Sequence, residues 1–277
     1  MEILYEAIVF LFLALGVGVI GNIAGIGGGV LLMLIFLFAF KINPVIAGGL
    51  SLLTIIASNA AGSAINVRYG AIDKHIFYAI SIPASLGATA GAITSYFIAP
   101  GTFNVFFGIA VFCIGLFSFS SSRIEIAKGK GKAYIRESFI DYKREHSKNE
   151  IGSRLGLGFA ALVAGVLSGL FGIGIGSITG TFLTSVKHVH PKVAFSSVVA
   201  AMIITSLIGA AVHFAKPGTD YFNALILSLP LIAGGVLGGF SGAALSERMS
   251  FARLRLFQGY IVMLFGILAV LMGLLGA

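Results

Sequence analysis

Two glycine-rich runs, GIGGG and GIGIG, could bind an anion without any charged side chain. Their candidate binding residues are Gly25, Gly27, Gly28 and Gly29 in the first run, and Gly172, Gly174, Gly176 and Ser177 in the second. A break in a helix exposes backbone N–H groups at the start of the next helix, where the helix dipole adds partial positive charge. The runs therefore predict two substrate-binding loops; the alternative is that the glycines only permit close helix packing.

Polar side chains on two other segments recur at helical spacing and predict the rest of a substrate pathway. These are Ser51, Thr54, Ser58, Asn59 and Asn66 on the first segment, and Ser196, Ser197, Thr205, Ser206 and His213 on the second. Buried polar groups need partners, so such a stripe faces other helices rather than lipid. Polar contacts between helices are the alternative for any single residue. His213 lies deep in its segment, and imidazole titrates near neutral pH, so a proton-coupling role is a hypothesis.

The composition places these residues in a membrane protein. Of 277 residues, 58% are hydrophobic and 10% are charged, and the mean hydropathy is +1.04, whereas soluble domains carry about 25% charged residues. Seven stretches of 22 to 48 residues lack Asp, Glu, Lys and Arg, and a transmembrane helix needs about 20 apolar residues. We expect an all-α polytopic membrane protein with hydrophobic segments at about 5–22, 28–41, 45–67, 75–98, 103–122, 155–170, 175–188, 193–215, 221–245 and 254–275.

The number of crossings depends on the pairs broken at the glycine runs. We expect eight to ten transmembrane helices, and the pairs at residues 5–41 and 155–188 either span fully or are re-entrant. The proline residues Pro44, Pro83, Pro191 and Pro230 are candidate hinges or kinks. The single cysteine, Cys113, excludes an intramolecular disulfide, and its apolar neighbours predict a buried packing role.

The chain contains an internal repeat. A shift of 147 residues superposes the two glycine runs, Pro44 on Pro191, and Pro83 on Pro230. Each half holds five segments, and an odd number predicts that the second half is inverted relative to the first. Inverted repeats are typical of alternating-access transporters, and a channel or scaffold with duplicated helices is the alternative. The predicted division is a first transmembrane repeat at 1–122, a basic loop at 123–154 and a second repeat at 155–277.

The positive charges predict the orientation. With loop 123–154 in the cytoplasm, that side carries 16 of the 18 Lys and Arg residues. We therefore expect a multi-pass plasma-membrane protein with a cytoplasmic central loop and both termini outside. Expected partners are a small anionic substrate and the lipid bilayer, without nucleic acid; a coupling proton or ion and a homodimer are hypotheses. We expect no cofactor and no metal.

The motifs resemble the sulfite exporter TauE/SafE family. GIGGG at 25–29 with Pro44, its second copy at 172–176 with Pro191, and N-x-R-Y-G-A-I-D at 66–73 carry the resemblance, which covers nearly the whole chain. It implies an exporter of sulfur-containing anions such as sulfite or organosulfonates. The second glycine run departs from the first, because Ile175 stands where the first has Gly28.

Two other function classes remain as alternatives. A channel or importer for another small anion has the same sequence features. The segment Gly239–Gly242 reads GFSG and is similar to the serine motif of intramembrane proteases, but no histidine follows His213 to activate that serine. An enzyme is therefore the remote alternative, and we expect a protein that is not an enzyme.

Overall fold

The computed structural model describes residues 2–127, 154–217, 221–246 and 251–274. The first half of the chain forms α1 (Glu2–Ala24), α2 (Gly29–Leu34, continued by a π-helical turn at Ile35–Ala39), α3 (Pro44–Arg68), α4 (Lys74–Ser95) and α5 (Pro100–Ala127). The second half forms α6 (Arg154–Phe171), α7 (Gly176–Ser185), α8 (Pro191–Phe214), α9 (Tyr221–Ser246) and α10 (Phe251–Leu274).

These helices confirm the predicted all-α polytopic membrane fold. Each predicted segment coincides with one helix to within a few residues, and both glycine runs interrupt a helix as expected. Within the described residues, six helices are long and apolar enough to cross a membrane, and three apolar helices are shorter. The basic loop lies mostly outside the described residues.

The repeat extends to the local conformation of the loops that precede α3 and α8. Lys41 and its repeat equivalent His188 both have positive φ, at 51° and 54°. The next helix then begins with an N-cap whose side chain accepts a backbone N–H: Asn43 from Val45 at 3.0 Å, and His190 from Lys192 at 3.3 Å. Pro44 and Pro191 follow in the first turn, where proline costs no helical hydrogen bond. The same chain path therefore leads into both central helices.

Helices of the two halves interleave. α1 packs along α9, α6 along α4, and α5 along α10. The backbones approach so closely that side chains at the contact glycines would overlap the neighbouring helix: Gly108 faces Val270 N at 2.7 Å and Gly115 faces Met263 N at 2.5 Å, measured from where a Cβ would stand. Along this contact the residue numbers increase on α5 while they decrease on α10. These two repeat-equivalent helices therefore run antiparallel.

The central pair, α3 and α8, is also antiparallel. A Cβ on Gly48 of α3 would lie 2.9 Å from Cε1 of His213, and one on Gly209 would lie 2.9 Å from Cδ1 of Leu52. The contacts thus move toward the start of α8 as they move toward the end of α3. Both helices are mostly buried, with 72% of the apolar window of each inside the protein. They form the centre of the molecule.

One packing prediction was wrong. Cys113 is exposed on α5 rather than buried. Because the outer surface of a membrane helix is as apolar as its inner one, the neighbours of a residue do not reveal which side it faces.

Candidate functional site

The two glycine loops meet at the centre of the protein. A Cβ on Gly29 would lie 2.6 Å from the carbonyl oxygen of Gly172, and one on Gly176 would lie 2.8 Å from the Cα of Ile26. Residues 25–30 and 171–177 are all buried. We call this contact between loops 25–29 and 172–176 the glycine seam. Inside a membrane, irregular backbone is tolerated only where protein or a water-filled cavity surrounds it. Here the buried loops are surrounded by protein.

The two loops share most of their backbone conformation but differ at one position. Gly25 and Gly172 have φ of 68° and 65°, and Gly27 and Gly174 have φ of 80° and 78°. At the next position, Gly28 is left-handed with φ 77°, whereas Ile175 has φ −90°. The departure noted in the sequence therefore changes the path of the chain into α7, and the two halves of the seam are not identical.

Two apolar side chains cover the seam. The Cε of Met202 lies so close to both Gly27 and Gly174 that a Cβ on either glycine would overlap it. Ile55 lies beside it, with Cγ2 3.6 Å from the Cβ position of Gly27 and Cδ1 3.5 Å from that of Gly174. Ile55 and Met202 are repeat equivalents and are both fully buried. The sequence analysis missed them, because an apolar residue in an apolar segment carries no signal of its own.

The polar stripe on α3 divides into bonded and unbonded residues. Ser51 Oγ donates to the carbonyl of Gly172 at 2.6 Å and so ties α3 to the seam. Thr54 donates to Leu50 O of its own helix at 2.9 Å. Asn59 is fully buried, and neither its Nδ2 nor its Oδ1 has a hydrogen-bond partner among the described residues. Asn66 is half-buried near the end of the helix.

The stripe on α8 divides in the same way. Ser197 Oγ accepts the amide N–H of Asp73 at 2.8 Å, which fixes the loop between α3 and α4. Thr205 donates to Ala201 O at 3.1 Å within its helix. Ser206 is fully buried, and its hydroxyl has no partner in the described part of the chain. Ser196 and, on α7, Ser177 are buried as well.

His213 lies beside the second glycine loop rather than in an open vestibule. Its Nε2 is 2.7 Å from the carbonyl oxygen of Gly169, on the last turn of α6, and the ring packs on Gly48. Only 1% of His213 is exposed, and Nδ1 has no partner within the described residues. Because a carbonyl only accepts, Nε2 is the nitrogen that carries the proton in this hydrogen bond.

Asn22 is a site residue that the sequence analysis did not single out. Its Nδ2 lies 2.6 Å from Ser58 Oγ, 3.1 Å from Gly18 O and 3.5 Å from Ser58 O, and its Oδ1 lies against Gly62. This amide fastens the end of α1, just before the first glycine loop, to α3. The signal was present in the sequence, because Asn22 is a strongly polar side chain inside the 34 uncharged residues between Glu6 and Lys41.

Other motifs have structural positions. In N-x-R-Y-G-A-I-D, Gly70 takes the left-handed conformation of the turn, and Asp73 caps α4 by accepting the amides of His75 and Ile76 at 2.8 and 3.1 Å. Pro83 and Pro230 lie inside α4 and α9. In GFSG, the serine Ser241 donates to Leu237 O of its own helix at 2.8 Å and is exposed.

A crevice of about 460 Å³ lies away from the polar stripes, between α1, α2 and α10. Its walls are apolar and include Phe12, Val17, Leu34, Phe38, Phe265 and Met272. None of the predicted substrate-binding residues lines it. Its apolar walls make this crevice a poor binding site for an anion.

Comparison with known proteins agrees with the resemblance noted in the sequence. The sequence model of the family "Sulfite exporter TauE/SafE" matches residues 10–272. The "Probable membrane transporter protein YunE" of Bacillus subtilis (strain 168) is 27% identical over 266 residues, which cover 94% of this chain and 95% of that protein. The comparison with solved structures gives no match.

Proposed function

Because this chain belongs to the sulfite exporter TauE/SafE family, and is therefore a membrane transporter for a small molecule, we propose that it carries small sulfur-containing anions such as sulfite or organosulfonates. The glycine seam is the observation that carries the proposal. It brings two backbone breaks of equivalent sequence face to face at the buried centre, between the antiparallel helices α3 and α8.

The proposed mechanism is alternating access between inverted repeats. The antiparallel contacts of α3 with α8, and of α5 with α10, support the inversion, since each pair consists of repeat equivalents. The seam supports it too, because Gly29 faces the second loop as Gly176 faces the first. With a two-fold relation of this kind, the two repeats can exchange their conformations. The exchange converts an outward-open state into an inward-open state of similar energy.

Recognition of an anion would rest on neutral groups. The first turns of α2 and α7 begin at Gly29 and Gly176, and no side chain of the described residues caps them. The first backbone N–H groups of a helix have no partner within the helix, so those of α2 and α7 are the proposed anion donors. Asn59 and Ser206 add buried donors on the central helices that have no partner in the part of the chain that the structure describes. Neutral donors hold an anion without the large desolvation penalty of a buried lysine or arginine. They also release it more easily, as a carrier requires.

A thermal-shift screen of the purified protein tests the cargo. Sulfite, sulfate, isethionate, a thiol and a carboxylate are added separately, and selective stabilisation by a sulfur oxyanion is the expected result. A ligand present at about 100 times its Kd stabilises the native state by about 2.7 kcal/mol. Stabilisation by a neutral or cationic solute, with none by any anion, would contradict the proposal.

Transport by a carrier must be distinguished from flow through an anion channel and from import. Proteoliposomes loaded with isethionate on one side, with and without a proton or sodium gradient, measure this directly. Accumulation against the isethionate gradient identifies a carrier and its coupling ion, whereas dissipation alone identifies a channel. The proposed direction is export, as the family description suggests. The proposed orientation has loop 123–154 in the cytoplasm and both termini outside, and a homodimer belongs to the same proposal.

A further inference from the structure

The methyl group of Met202 fills the space between the two loops of the glycine seam. It is wedged between Gly27 and Gly174, the two left-handed glycines at the middle of each loop. Met202 is 0% exposed, as is its repeat equivalent Ile55. The seam is therefore closed by a side chain and not only by contact between the loops.

Unpartnered polar groups lie on both sides of this closure. Asn59 is one helical turn beyond Ile55 on α3, and Ser206 is one turn beyond Met202 on α8. Each turn displaces a residue about 6 Å along the helix axis. Because α3 and α8 run antiparallel, these displacements are in opposite directions. By the contacts of Gly48 with His213 and of Gly209 with Leu52, Asn59 lies near the level of Met202 and Ser206 near that of Ile55. Asn59 and Ser206 are thus about 6 Å apart along the axis, one toward each side of the seam, and both are buried without a hydrogen-bond partner among the described residues.

A buried amide or hydroxyl without a partner is costly, at about 1–3 kcal/mol each. Both positions hold such a group at equivalent places in the two repeats, while neighbouring Thr54 and Thr205 satisfy theirs within their own helix. Packing alone does not require this arrangement. A ligand that arrives from either side would supply the missing partner.

We propose that Met202 is the plug of the transport pathway, that Asn59 and Ser206 form two half-sites toward opposite sides of the seam, and that the cargo passes when the Met202 side chain swings out of the seam. This inference rests on the proposed alternating access. It adds a gate and two half-sites, which take the oxygen atoms of a small polar solute by hydrogen bonding.

The two apolar residues have different roles because their side chains differ in stiffness. Methionine is unbranched and has three rotatable bonds, so it can leave the seam by changing rotamers. Isoleucine is β-branched and is held in one χ1 rotamer on a helix. Ile55 is accordingly the fixed wall of the gate, and Met202 is its moving part.

The test compares passive permeability of proteoliposomes that contain wild-type protein, Met202→Ala or Met202→Leu. Urea, a neutral probe, and isethionate, an anionic one, are followed by stopped-flow light scattering. The alanine variant should raise urea permeability at least about tenfold, as for a barrier lowered by about 1.4 kcal/mol. Leucine preserves the volume and should keep the wild-type permeability.

Leu157→Ala is the matched control. Leu157 is fully buried, like Met202, but stands near the start of α6, about 20 Å along that helix from the second glycine loop. The Leu157→Ala variant loses a similar amount of packing to Met202→Ala, and it should leave urea permeability unchanged. Thermal unfolding in detergent confirms that each variant is folded before reconstitution.

A second measurement covers the case in which the alanine variant does not fold. Met202→Cys is made in a Cys113→Ser background, so that the labelled thiol is unique, and is exposed to an impermeant methanethiosulfonate reagent with isethionate present or absent. Labelling that increases during transport supports the plug.

A folded Met202→Ala variant with wild-type urea permeability, or a Met202→Cys thiol that never reacts during active transport, overturns the proposed plug. If urea leaks through Met202→Ala but no anion is carried by the wild type, the plug stands and the proposed cargo fails.

Discussion

Replacing Gly29 by alanine is a direct test of the glycine seam. Gly29 is the first residue of α2, and its φ lies outside the left-handed region, so alanine introduces no backbone strain. The new Cβ would stand 2.6 Å from the carbonyl oxygen of Gly172 and 2.9 Å from the carbonyl carbon of Ile173. Both are backbone atoms of the opposite loop, so the loops must separate.

The size of the effect follows from two opposing terms. Overpacking costs about 1–3 kcal/mol, and removing a helical glycine returns about 0.5–1 kcal/mol by restricting the unfolded chain. We expect Gly29→Ala to destabilise the protein by about 1–2 kcal/mol. Gly27→Ala should cost more, because its φ of 80° adds strain, worth about 1–2 kcal/mol for an L-residue.

Gly16 provides the control, because no atom of the described residues lies within 4 Å of the Cβ that alanine would add there. Gly16→Ala should therefore stabilise the protein by about 0.5–1 kcal/mol. Thermal unfolding in detergent should rank the proteins, from most to least stable, as Gly16→Ala, wild type, Gly29→Ala and Gly27→Ala. Isethionate transport should fall only in the two seam variants. If Gly29→Ala were as stable and active as Gly16→Ala, the loops would not be in contact and the proposed site would be refuted.

Three further changes test individual contacts. Asn22→Ala removes the hydrogen bond between α1 and α3, and should lower stability by about 0.6–1.7 kcal/mol in thermal unfolding; no loss would mean that Ser58 does not hold α1. Asp73→Ala removes the N-cap of α4 and should cost about 1 kcal/mol, while Asp73→Asn keeps the cap and should match wild type; equal losses in both would argue against capping. If His213 couples transport to a proton, His213→Ala should transport with a flat pH profile between pH 5 and 8 while keeping a measurable rate, and an unchanged profile would end that hypothesis.

The sequence was sufficient to predict the helices, because charge is the strongest local signal in a membrane protein. A single lysine or aspartate is costly in the hydrocarbon, so the uncharged stretches delimit the helices, and Pro44 and Pro191 mark where two of them begin. The repeat was visible for a similar reason: glycine and proline are irreplaceable where backbones touch or helices start, and they recur at a constant shift.

The site could be predicted only in part. The glycine runs identified the loops, but not that each loop packs against the other, since this contact joins residues about 147 positions apart. Ser51 and Ser197 look alike in the sequence, yet one bonds the seam and the other bonds the Asp73 amide. Met202 and Ile55 gave no local signal, because their role comes from what the fold places opposite them. The predicted substrate contacts, hinges, domain division and orientation stay predictions.

The interleaved packing of α1 with α9 has a consequence for biosynthesis. Ala24 at the end of α1 and Tyr221 at the start of α9 are separated by most of the chain, and ribosomes add about 5–20 residues per second. After α1 has been made, roughly 10–40 s therefore pass before synthesis of its main neighbour α9 begins, and during that time the contact face of α1 borders lipid or an insertion factor. Most of the glycines that later let the two helices touch, Gly234, Gly238 and Gly242, belong to α9, which is made later, and Gly18 belongs to α1.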